Sequence, residues 1–145
     1  MKPDNSIENT ICTAVDSDEL SRIRDFVKLK AEDFGFGDGD CNKIVLAVDE
    51  ACSNLIEHAY KKDSTKLLCV EIDSFDKEFI VKILDNAIPF DPSNVELPDM
   101  EKYFKVLKRG GLGIKIMRLV MDEILYYPSN EHNPVNTLIL KKHLN

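Results

Sequence analysis

Tryptophan is absent from the chain, and no run of about eighteen apolar residues occurs in it, so a helix spanning a membrane is not expected. The amino end, MKPDNSIENT, lacks the apolar stretch of a secretory signal. Basic residues never run beyond short Lys-Arg and Lys-Lys pairs, and with a net charge of −7 no broad attraction to nucleic acid or to a membrane surface is expected. Cys12, Cys41, Cys52 and Cys69 stand apart with no Cys-x-x-Cys pair, and three histidines are too few to complete a zinc cage. Cys52 and Cys69 fall in apolar-periodic segments, and all four are expected to be reduced thiols of a soluble cytoplasmic protein. What is present is a globular composition, 43% hydrophobic and 31% charged, in 145 residues suited to a single domain over 1–145.

Residues 6–14 alternate loosely and predict a first strand. The segment DSDELSRIRDFVKLKAEDFGF predicts an amphipathic helix, with Asp16, Ser17 or Asp18 as N-cap and Leu20, Ile23, Phe26, Val27 and Leu29 or Lys30 at helical spacing. Glycines 35, 37 and 39 interrupt it. Asp40 can then cap a second helix through Tyr60, whose apolar stripe is Ile44, Val48, Ala51, Leu55 and Ala59. Two strand-like runs, TKLLCVEIDSF and EFIVKILDN, flank Asp76-Lys77 in hairpin spacing. A long aperiodic segment of about 25 residues follows, an expected lid over 86–110 that holds Val95, Leu97, Met100, Phe104 and Leu107. A third helix is predicted after the glycines, with Ile114, Met117, Leu119 or Val120, and Met121 apolar, and two further strands end the chain. The hairpins predict an α+β two-layer sandwich: a mostly antiparallel mixed sheet with three main helices on one face.

Three stretches carry candidate chemistry. In VDEACSNLIEHAY, Glu50, Asn54 and His58 recur every four residues and share one side of a helix. A carboxylate can take a proton, an amide oxygen can ligate magnesium and an imidazole can donate to phosphate; a solvated polar face gives the same spacing. Asp49, about 100 degrees around the helix from Glu50, reads as an exposed surface acid. In ILDNAIPFDP an apolar strand delivers Asp85, which can accept from an exocyclic amine such as that of adenine or simply end the strand in an Asx turn. In KRGGLGIKIM, Gly110, Gly111 and Gly113 precede a helix whose free amides can meet phosphate, with Lys108 and Arg109 adding charge. The Gly-Lys-Ser/Thr of a P-loop is absent, and a plain glycine turn is the other account.

In this order the three stretches resemble the GHKL, or Bergerat-fold, ATP-binding domains, and within them the bacterial anti-sigma factor serine/threonine kinases. DEACSNLIEHAY is similar to the N-box, with Glu50 as the acid, Asn54 as the magnesium ligand and His58 in the HAY that follows. LDNAIPFDP resembles the adenine box, usually Asp-x-Gly-x-x-Phe-Asp-Pro, so that Asp85 and Phe90 match while Ala87 stands in place of glycine. GGLGIKIMRLVMDEILY resembles the glycine box and its helix, and NTLILKK resembles the closing strand, whose adenine-holding threonine falls on Thr137. The resemblance runs from the first strand to Lys142.

It implies ATP and Mg2+ as cofactors, Glu50 as catalytic base, Asn54 on the metal, and Asp85 and Thr137 on adenine. His58, Ala87, Phe90, Arg109, Gly110, Gly111, Leu112 and Gly113 complete the nucleotide contacts. The implied partners are a small anti-sigma factor antagonist, phosphorylated on serine or threonine, and a sigma factor as competing client, with a homodimer as the acting form. Two other readings stand beside the kinase. One is a non-catalytic module that sequesters a sigma factor or another regulator, favoured by Ala87; the other is an accessory domain that senses ATP.

Overall fold

The computed structural model describes residues 9–14, 17–56, 67–86 and 112–145. Strand β1 (Thr10–Ala14) leads through a 3-10 turn (Ser17–Glu19) into α1 (Leu20–Phe34), then α2 (Asp38–Asn54), β2 (Leu67–Phe75), β3 (Glu78–Asp85), α3 (Leu112–Val120), β4 (Glu123–Tyr127) and β5 (Asn136–His143). The five described strands form one sheet in the order β1-β2-β3-β5-β4, and every described pairing is antiparallel. The α+β class and the element order expected from the sequence hold.

The core lies between the sheet and the helices. Alternation along β3 buries Phe79, Val81, Ile83 and Asp85 and leaves Glu78, Ile80, Lys82 and Leu84 partly open on the other face. Phe79 and Ile83 are almost fully enclosed with Leu68, Val70 and Leu140 from neighbouring strands. Each such side chain contributes about 1.5–3 kcal/mol through the apolar surface it removes from water. On the helices the matching stripe is Leu20, Ile23, Val27 and Ala31 of α1 and Cys41, Ile44, Val48 and Ala51 of α2, with Met117 of α3.

Local chemistry accounts for the boundaries, with some differences from the sequence reading. The cap of α1 is Glu19 rather than residues 16–18, because the 3-10 turn takes up Ser17 to Glu19 before the α-helix begins. Gly35 ends α1 at φ 120, a backbone conformation that costs glycine little, and its N–H bonds back to the carbonyls of Ala31 and Glu32. The second helix starts at Asp38 with Gly37 as its cap, which leaves Asp40 inside the first turn, where its charge suits the helix dipole. Asp76 takes φ 56 in the two-residue hairpin loop between Phe75 and Glu78, as the expected tight turn requires. Of the alternatives Leu119 or Val120, Val120 is in the core with Met121 at the end of α3, as expected, while Leu119 is 85% exposed and Leu29 55%.

The cysteines divide into two kinds. Cys41 and Cys52 are buried free thiols, as expected. Cys12 and Cys69 are joined in a disulfide, against the expectation of four reduced thiols. The antiparallel register of β1 and β2 sets these two residues directly opposite each other with Cα atoms 4.1 Å apart, although 57 positions separate them in the chain. That closeness is created by strand pairing.

The end of α3 is tied to the end of β5, the strand between β3 and β4. Lys142 of β5 donates through Nζ to the Val120 carbonyl at 2.8 Å, placing a cation at the negative end of the helix dipole. The backbone N–H of Asp122 donates to the Lys141 carbonyl, and that of His143 to the Asp122 carboxylate at 2.6 Å. These bonds set where α3 sits.

Candidate functional site

Asp85 closes β3 in phase with its core residues, so strand alternation turns a carboxyl inward, where it is 5% exposed. A buried carboxyl without partners would cost several kcal/mol, on the order given by transfer into apolar surroundings. Here the cost is offset by Asn136, the residue opposite it on β5, whose Nδ2 donates to Asp85 Oδ1 at 2.7 Å. Asn136 is 1% exposed, and its own Oδ1 accepts from the backbone N–H of Ser129 at 2.7 Å. An acid, an amide and a loop N–H therefore form one chain at the end of the sheet.

Tyr126 of β4 lies in the same neighbourhood. Burial, and secondarily the nearby Asp85 carboxylate, push its phenol well above the ordinary range, so it stays a neutral donor. The inner row containing Asp85 runs Thr13, Leu68, Asp85, Asn136 across four strands. Thr13 Oγ1 is buried without a hydrogen-bond partner among the described residues.

Glu50 and Asn54 sit one turn apart at the end of α2, both half-buried, beside the stripe of Val48, Ala51 and Leu55. Leu55 and Ile56 continue α2 in π-helical geometry. The second helix packs against both α1 and α3. Asp49 is not the exposed acid that its position suggested: its Oδ1 accepts from Arg24 Nη1 of α1 at 2.7 Å, and its side chain is 25% exposed. The 100-degree step from Glu50 turns Asp49 toward the neighbouring helix and leaves Glu50 and Asn54 on a different side.

The structure does not bring Thr137 to Asp85. Thr137 pairs with Leu84, and both belong to the opposite, outer face of the sheet, in a row with Tyr127, Cys69 and Cys12. Asn136, one residue earlier, has the parity that faces Asp85. The signal for it was present in the sequence: Asn136 is in phase with Leu138 and Leu140, a polar residue in a core position, as Asp85 is in phase with Val81 and Ile83. His58, Ala87, Phe90, Arg109, Gly110 and Gly111 lie outside the described residues, as does most of the expected lid. Leu112 and Gly113 form the first turn of α3.

Chemically, the Asp85 end of the sheet offers an oriented acceptor, and the end of α2 offers an acid and an amide oxygen in one helical row. A buried acceptor beside a neutral donor suits the polar edge of a heteroaromatic ring, and a lone amide oxygen suits magnesium that draws its other ligands from phosphates and water. Among the described residues no group of three His, Cys, Asp or Glu side chains could hold a metal by itself. No described helix is long and apolar enough to cross a membrane. A cavity of about 240 Å³ opens at the other end of the strands, beside Lys30, Asp33, Asp73 and Phe79, and is separate from this group.

Comparison with known proteins bears on the same elements. Serine-protein kinases RsbW of Bacillus thuringiensis (strain Al Hakam) and Bacillus cereus (strain 03BB102) are each 27% identical over 118 residues, covering 79% of this chain and 71% of theirs. RsbW of Bacillus anthracis (strain CDC 684 / NRRL 3495) matches to the same extent. A chain in the crystal structure of the SiaB-SiaC complex from Pseudomonas aeruginosa shares the fold with a TM-score of 0.61, at 10% identity, over 93% of this chain and 89% of that one. The family model of the histidine kinase-like ATPase domain matches residues 13–142, from the buried threonine of β1 to the lysine that anchors α3, and the chain belongs to that family.

Proposed function

We propose that the chain is a protein kinase that binds ATP with magnesium between α2, the end of β3 and the start of α3, and transfers the γ-phosphate to a serine or threonine of a partner protein. The observation that carries this reading is the buried Asp85, held by Asn136 at the end of β3 in a chain of the histidine kinase-like ATPase family. A carboxyl kept in a core position at the cost of desolvation is a group retained for recognition, and the exocyclic amine of adenine supplies the donor it accepts from.

In this reading Glu50 takes the proton of the incoming hydroxyl and Asn54 offers its amide oxygen to the metal. Magnesium, when bound, offsets the charge of the triphosphate. The amides at Gly111, Leu112 and Gly113 and the charge of Arg109 support the phosphates, with segment 86–110 as the lid. His58, Ala87 and Phe90 complete the pocket by resemblance. The partner class follows the resemblance to the anti-sigma factor serine/threonine kinases: a small anti-sigma factor antagonist as phosphoryl acceptor, a sigma factor as competing client, and a homodimer as the acting form.

Calorimetric titration with ATP, with and without magnesium, tests the site. Magnesium-dependent binding that Asn54→Ala weakens at least tenfold is the expected result, and a folded chain that binds no ATP would refute it. Transfer of labelled phosphate to a partner, lost in Glu50→Gln, tests the kinase step. The alternative favoured by Ala87 is a sequestering or nucleotide-sensing module. It predicts a stoichiometric complex with a regulator and no phosphate transfer in any nucleotide state.

A further inference from the structure

Among the described strands β1 pairs with β2 alone, through the five residue pairs from Thr10 and Glu71 to Ala14 and Leu67. Its alternation turns Ile11 and Thr13 toward the core. Ile11 is half-buried, and the Thr13 hydroxyl is buried with no partner among the described residues, which works against docking. By contrast β3 places four side chains inward and is paired on both sides. We propose that Cys12 and Cys69 form a reversible modification site, a thiol-disulfide latch on β1 that a low-molecular-weight disulfide closes and a dithiol opens, with β1 leaving β2 when the latch is open.

The two joined cysteines lie on the outer face of the sheet, Cys12 exposed and Cys69 half-buried. An exposed disulfide is open to attack by an external thiolate, unlike one enclosed in a core. The other two cysteines are set apart from this chemistry. Cys41 and Cys52 are fully enclosed, and burial, with Glu32 acting on Cys41 and Asp49 on Cys52 as lesser causes, pushes both thiols up, so they present little thiolate. A reagent in solvent therefore finds one reactive pair. The two residues are 57 positions apart, and the loop that their bond closes contains α1 and the whole of α2, with Glu50 and Asn54.

Closing proceeds by two exchanges. The thiolate of Cys12, the more exposed residue, attacks one sulfur of a low-molecular-weight disulfide, forms a mixed disulfide and expels one thiolate; the Cys69 thiolate then attacks the Cys12 sulfur and expels the second. The two cysteine sulfurs are oxidised, the reagent is reduced to two thiols, and the two protons lost by the protein end on them. Opening runs the same steps in reverse, with a dithiol attacking the Cys12 sulfur and leaving as a cyclic disulfide. The antiparallel register sets the two residues opposite each other with Cα atoms 4.1 Å apart, so the sulfurs meet whenever β1 takes its place on β2. With the bond open, β1 keeps its ladder to β2 and the half-buried Ile11, the make-up of a segment that opens locally at small cost.

The test is to equilibrate the native chain in buffers of graded ratio of reduced to oxidised glutathione, to trap free thiols by alkylation for mass spectrometry, and to compare amide hydrogen exchange of the oxidised and reduced end states. Cys12 and Cys69 are expected to convert together and reversibly within the glutathione range, while Cys41 and Cys52 stay unlabelled. On reduction, exchange of the Thr10–Ala14 amides should rise at least about tenfold more than exchange of the β3 amides. An equal rise over β1 and β3 would mean that the bond acts only on global unfolding, as a plain structural staple, and would overturn the proposal. So would a bond that persists in excess reduced glutathione, or one that opens without faster exchange over β1. The double variant Cys12→Ser/Cys69→Ser should exchange like the reduced wild type in either buffer, and a variant that still responds to glutathione would place the effect elsewhere and refute the latch. The wild-type comparison needs no variant to fold, and none of these outcomes depends on nucleotide binding.

Discussion

The two ends of β3 use one rule of alternation for opposite purposes. Phe79, near the start, turns into the core and meets Phe34 and Phe36 with ring centroids 5.4 and 5.6 Å away. Asp85, six residues on and on the same face, turns into the core and meets an amide. The aromatic end gains free energy by leaving water, and the rings add edge and tilted contacts. The acidic end loses hydration, a cost that polar partners such as the Asn136 amide offset. One end of the strand therefore holds the molecule together, while the other keeps a costly group in place, the one we propose reads the base.

This contrast predicts that substitutions at the two ends separate stability from binding. Phe79→Ala should lower unfolding free energy by about 3–5 kcal/mol, the usual cost of emptying a buried phenylalanine site, with nucleotide affinity of the folded fraction unchanged; chemical denaturation read with ATP titration checks both. The disulfide lies in the outer row next to Leu84, at the Asp85 end, so Cys12→Ser should cost about 2–4 kcal/mol under oxidising conditions. Added reductant should bring the wild type down to the variant, and a difference that survives reduction would refute the staple. Asp85→Asn keeps the shape and removes the acid. It should weaken ATP at least tenfold, about 1.4 kcal/mol, while the unfolding temperature stays level or rises, the inverse of Phe79→Ala.

The smallest effect is expected away from both ends. The Arg24–Asp49 pair is partly solvated, with side chains 42% and 25% exposed, so Arg24→Ala should cost only about 0.5 kcal/mol and less in high salt.

Much of the fold was legible because its signals are local. The hairpin at Asp76-Lys77, the alternation of β3 and the helical stripes of α1 and α2 each depend on neighbours within a few residues, and all three are present. Glu50 and Asn54 were legible as a pair for the same reason, since helical pitch alone puts them on one side. Of the open alternatives Leu119 or Val120 and Leu29 or Lys30, the structure selects Val120 and leaves Leu29 exposed, because an apolar residue near a stripe need not face the core. Asp49 was misread because its partner, Arg24, belongs to another helix.

The sequence by itself determined the element order, the class, and the acid that ends β3. Tertiary structure decided the partners: that Asn136 rather than Thr137 meets Asp85, that Cys12 meets Cys69, and that Asp49 is tied to α1. The physical reason is that a strand repeats every two residues, so a shift of one position in register exchanges its faces. Which residue of Asn136-Thr137 faces inward depends on strand pairing across the sheet, and only the folded chain contains that pairing.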